Sequence, residues 1–144
     1  MSRSGYDDDC DGWALIRWRG AVTSAMRGER GQVLLRDLAA ALDAMPVKAL
    51  IADDLVIENG SVCALGALGC ARGMTEAMQT LDPEDREAVA EAFNIAPALA
   101  AEIVAENDCW HGENPEHRWV RMRNWVAQHI KDDTLSPRPA KVEK

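Results

Sequence analysis

The chain has 144 residues, 47% of them hydrophobic, and a net charge of −8 at pH 7; that length suits a single domain able to bury a real core. A pI near 4.8 argues against non-specific binding of the whole surface to nucleic acid or to an anionic membrane. No apolar run is long enough to span a bilayer, residues 1–12 are too polar and acidic for a signal peptide, and Cys10, Cys63, Cys70 and Cys109 form no dense framework, so free thiols in a reducing cytoplasm are expected.

Met1–Asp11 reads as a flexible acidic lead-in; its Asp7, Asp8, Asp9 and Asp11 lack the loop glycine and distal glutamate of a calcium site. Gly12–Gly28 reads as a first helix with Leu15, Trp18, Val22 and Met26 on one stripe and Arg17, Arg19 and Arg27 elsewhere. Gln32–Met45 is the second, with Leu34, Leu38, Ala41, Leu42 and Met45 inward and Pro46 ending it. So short a link predicts a helical hairpin. Over Lys48–Cys70 the period changes. Asn59-Gly60 between two apolar runs is a hairpin signal, because a type I′ turn needs positive φ at both central residues. Two strands are expected, about 50–57 and 61–67, followed by a short helix from Met74 to Thr80.

Leu81–Asp108 carries most of the negative charge. Asp82 is placed to cap a helix, with Pro83 in its first turn and Glu84 and Asp85 at the positive end of its dipole. Ala88, Val89, Ala92 and Phe93 form its apolar stripe, while Glu84, Glu87 and Glu91 fall on another face. After Asn94–Pro97 a second helix sets Leu99 and Ile103 on one side and Glu102 and Glu106 on another. Asp82–Asp108 holds eight acids and one base, Arg86. The pair has a helix-turn-helix outline, but Pro97–Asp108 has no Arg or Lys and carries Glu102, Glu106 and Asp108, so phosphate repulsion excludes it from a DNA groove. Asn114–Ile130 is the last expected helix, with Trp119, Met122, Val126 and Ile130 as its stripe and Arg118, Arg121 and Arg123 as its charge. Residues 131–144 read as a flexible tail.

Chemical motifs are few. There is no Cys-x-x-Cys, His-Glu-x-x-His, Gly-x-Ser-x-Gly or Walker loop. Cys63, Cys70, Cys109 and His111 are residue types that zinc accepts, in spacings that match no zinc module. Asp53, Asp54 and Glu58 read as strand-end charges flanking the hairpin. Neither a catalytic residue nor a cofactor is expected.

WALIRWRG (Trp13–Gly20), CALGALGCARG (Cys63–Gly73), LDPED (Leu81–Asp85), AEIVAENDCW (Ala101–Trp110) and PEHRWVRMRNWV (Pro115–Val126) together resemble a group of short proteins carried by bacteriophages and prophages. The resemblance brings no catalytic motif. It implies a small protein acting on host machinery in the bacterial cytoplasm, in the manner of anti-defence inhibitors such as anti-CRISPR proteins.

The expected fold is therefore α+β and mostly α-helical: an N-terminal helical hairpin, one β-hairpin and C-terminal helices within a single domain over 12–130. The expected function is a non-enzymatic inhibitor that presents Glu84, Glu87, Glu91, Glu102, Glu106 and Asp108 to a basic, nucleic-acid-binding host protein. The alternatives are a nucleic-acid binder using Arg17, Trp18, Arg19, Arg27, Arg121 and Arg123, and a metal-dependent enzyme.

Overall fold

The computed structural model describes residues 12–131; the expected acidic lead-in and all but the first residue of the expected tail lie outside the described residues. Seven helices are formed there: α1 (Gly12–Arg27), α2 (Glu29–Ala44), α3 (Ala64–Ala71), α4 (Thr75–Thr80), α5 (Arg86–Phe93), α6 (Pro97–Asp108) and α7 (Pro115–His129).

Helices α1 and α2 are joined by Gly28 alone and pack on each other. A Cβ on Gly31 would lie 1.9 Å from the Ala25 carbonyl oxygen, so only glycine permits that approach. On α1 the buried face is Ala14, Val22 and Met26 with Trp18 partly buried, whereas Leu15 is exposed. Helix α2 buries Leu34, Leu35, Leu38 and Leu42 against α3 and α7. Its C-terminal carbonyls at Asp43 and Met45 accept from Lys48 Nζ, which places a cation at the negative end of the helix. Gln32 on α2 is buried at 6% exposure. Its amide donates to Met26 O (2.7 Å) and His129 O (3.0 Å) and accepts from Lys131 N (2.8 Å).

The expected β-hairpin is not there, and among the described residues the fold is all-helical rather than α+β. What survives is a single antiparallel bridge, Val56 to Val62, around a tight turn in which Gly60 N donates to Ile57 O and Ile57 N to Ser61 O. Gly60 takes φ 89° while Asn59 does not take positive φ, so the reversal is not type I′ but a turn ending in a left-handed glycine. Two physical reasons stop the strands. Ile51 N bonds Val62 O while Leu55 O bonds Cys63 N, so four residues on one side span a single residue on the other. The polar Ala52–Asp54 stretch is thrown outward, with Asp53 left-handed at φ 75°. On the other side the chain turns helical at Ala64, where the Cys63 thiol accepts from Gly66 N. Residues 62–69 are all buried, so their apolar run carries no periodicity to separate strand from helix. Gly66 lets α3 lie on the 50–56 segment: a Cβ there would stand 1.8 Å from Leu55 O.

Helix α5 starts later than Asp82 and Pro83 suggest. Asp82 Oδ1 accepts from Glu84 N in a turn, and the N-cap is Asp85, accepting from Ala88 N. Asn94 ends α5 in the left-handed region (φ 59°), and Ile95 N donates back to Ala90 O, a glycine-type stop made with asparagine. Pro97 then opens α6, which runs at 104° to α5. Alanine-rich α6 touches α1, α3, α5 and α7 and buries Leu99, Ala100 and Ile103 completely; small side chains allow so many close neighbours. No single described helix is long and apolar enough to cross a membrane.

Candidate functional site

The acidic block divides into two groups with different surroundings. Glu84, Glu87 and Glu91 are exposed. Glu87 and Glu91 are one turn apart on α5, with Glu84 just ahead of them, so the three line one flank. Their carboxylates have no hydrogen-bond or ion-pair partner among the described residues. Asp82 and Asp85, also exposed, add charge to the same end while holding backbone N–H groups.

Glu102, Glu106 and Asp108 are only partly exposed. Glu106 pairs with Arg121 at 3.2 Å. Asp108 Oδ1 accepts from Asp53 N (3.1 Å) and Asn107 Nδ2 (2.8 Å), and so anchors the outward loop. Glu102 lines a cavity against α1. The structure thus brings Glu84, Glu87 and Glu91 together and turns the other three toward the interior of the fold.

A buried polar hub absorbs Arg118 and Arg121. Arg118 is 5% exposed. It donates to Asn107 O and Leu50 O, each at 3.1 Å, and to Trp110 O at 3.4 Å, and it lies 3.3 Å from the Glu113 carboxylate. Arg121 grips that carboxylate in a two-pronged pair at 2.8 and 2.9 Å and donates to Glu106 O and Asn107 O. His117 adds a contact to Glu113 at 2.7 Å. Hydrogen bonding from Arg121, with help from His117, holds the Glu113 carboxyl below its ordinary pKa although burial opposes this, and Glu113 in turn raises Arg121. Asn107, 2% exposed, accepts from Ala64 N and donates to Ile51 O. These side chains join α6, α7, the start of α3 and the 50–53 segment, where no sheet exists to satisfy the backbone. The hub escapes a pattern reading because Arg118 occupies the buried stripe Arg118, Met122, Val126, where an arginine is not looked for.

Of the basic alternative, Arg121 is taken by the hub and Arg123 by a two-pronged pair with Asp43 (2.7 and 2.8 Å). That pair lowers the Asp43 pKa and raises that of Arg123. Arg17, Arg19 and Arg27 remain exposed on α1, beside the partly buried Trp18. Cys63, Cys70, Cys109 and His111 do not converge: among the described residues no three His, Cys, Asp or Glu side chains are grouped to hold a metal ion. Cys63 is buried, and desolvation pushes its thiol up to about 12, whereas Cys109 and His111 are exposed.

No known protein family, no curated protein and no solved structure matches the chain, so the resemblance to short phage and prophage proteins gains no support from these comparisons.

Proposed function

We propose that this chain is a non-enzymatic protein-binding module that docks through the exposed acidic flank of α5, and that its partner is a basic, nucleic-acid-binding protein. The observation that carries this reading is the contrast between the two halves of the acidic block. Glu106 and Asp108 are engaged within the fold, whereas Glu84, Glu87 and Glu91 are exposed and make no ion pair among the described residues. Like charges gathered on one flank repel one another, and a basic partner relieves that repulsion while its encounter is accelerated. On the phage-type resemblance the partner is a host nucleic-acid-processing or defence protein, and binding inhibits it.

The test is affinity capture with the intact protein and with the triple variant Glu84→Gln, Glu87→Gln, Glu91→Gln. The wild type retains a basic protein that is released as salt rises, because exposed charges are screened within about 10 Å at 0.1 M, and the triple variant does not retain it. Equal retention by the two proteins rejects the α5 flank as the docking surface.

A further inference from the structure

Away from the acidic flank and the arginine hub, one cavity joins uncommitted positive charge to an aromatic wall. It lies between α1, α6 and the end of α7 and has a volume of about 610 Å³, within the range of small-molecule sites. Trp18, Val22, Met26 and Ile130 supply its apolar wall, Glu102 and Gln128 its polar groups, and Arg19, Thr23 and Arg27 its α1 side. A shallower depression alongside is lined by Arg19, Thr23 and Arg27 again, so these three residues border both.

The other cations of the described fold are largely committed. Arg30 bonds Asn94, Arg36 the Lys131 carbonyl, Arg72 Asp37 and Lys48 the end of α2. Arg118, Arg121 and Arg123 are paired as described above. Arg19 and Arg27 have no partner among the described residues. Eight residues apart, they are separated by about 12 Å along the helix, with Thr23 midway. Two long guanidinium side chains with a hydroxyl between them suit one tetrahedral anion. Among the described residues the buried Trp18 indole N–H has no acceptor, so re-seating that ring against a ligand breaks no hydrogen bond there.

We propose that this cavity is a binding site for a nucleoside monophosphate, with the phosphate over Thr23 between Arg19 and Arg27 and the base in the cavity against Trp18. Gln128 selects a base over a plain apolar ring. An amide in the wall needs an N–H donor and a lone pair opposite it, and a hydrocarbon face would leave it desolvated without partners.

The experiment is calorimetric titration of the full chain with AMP, GMP, CMP and UMP in turn, with the matching nucleoside as the phosphate-free probe. At least one monophosphate binds saturably, and its nucleoside binds at least tenfold more weakly. The double variant Arg19→Gln, Arg27→Gln, whose sites are exposed and whose fold is verified by circular dichroism, loses at least tenfold in affinity. Arg72→Gln, which lines neither depression, binds as wild type. The proposal is overturned if none of the four binds saturably, if nucleoside and nucleotide bind equally, if the double variant keeps its affinity, or if only an oligonucleotide binds.

Discussion

Replacing Arg118 with methionine tests whether the polar hub holds the fold together. Methionine keeps much of the length of the side chain and removes the charge and every donor. Leu50 O would lose the donor it has in Arg118, while Asn107 O keeps Arg121 and Glu113 keeps both prongs of Arg121. The loss is therefore the bonds of one buried guanidinium and one stranded carbonyl, with no carboxylate left unpaired, which costs about 1–3 kcal/mol. Against a total stability of about 5–15 kcal/mol, that is a large fraction. With a urea slope of about 2 kcal/mol/M, the unfolding midpoint followed by circular dichroism falls by roughly 1 M. The internal control is Arg123→Met, five positions along the same helix. It breaks a more exposed pair, with Asp43 55% exposed, and costs about 0–1 kcal/mol. If Arg118→Met and Arg123→Met shift the midpoint equally, or Arg118→Met costs under about 1 kcal/mol, the hub is not what fastens α6, α7 and the 50–53 segment together.

Glu113 gives the hub a pH signature. Its folded pKa is depressed below 4.5, so its contribution is complete above the unfolded value and lost as pH falls through the folded one. Glu113→Gln is therefore less stable at neutral pH but loses less on acidification below about pH 5 than the wild type does; urea midpoints that fall in parallel for the two proteins contradict this. Two glycines separate in opposite directions in a thermal melt. Gly66→Ala forces a methyl to 1.8 Å from Leu55 O and costs about 2 kcal/mol or more. Gly20→Ala, inside α1 with nothing within 4 Å, stabilises by about 0.5–1 kcal/mol.

Helix ends were legible wherever a residue has a local backbone task. Asn114 caps α7 by accepting from Glu116 N and His117 N, Gly28 separates α1 from α2, and Asn94 to Pro97 makes the corner between α5 and α6. Asp82 misled because an aspartate at a turn and one at a helix cap both accept N–H bonds two or three residues ahead. The turn at Gly60 was also legible, but not its lack of flanking strands, since a segment buried on every side looks the same as strand or helix. The acidity of the block was plain from composition. Which acids stay at the surface was not, because the partners of Glu106 and Asp108, Arg121 and Asp53, stand 15 and 55 positions away. Arg118 was legible as a charge on α7, but its burial was not, because it is satisfied by the backbone carbonyls of Leu50, Asn107 and Trp110, which leave no trace in side-chain spacing.

The triple role of the Gln32 amide bears on how the chain is made. Through it the α1–α2 corner receives its closing bonds from His129 and Lys131, 97 and 99 positions later. During synthesis at about 5–20 residues per second, the first helical pair waits roughly 4–17 s for α7 to be translated. Until then the part of the α2 leucine ridge that packs on α7 stays uncovered, while α3 is already available for the rest. Its final geometry is set by one of the last parts of the described fold to be translated.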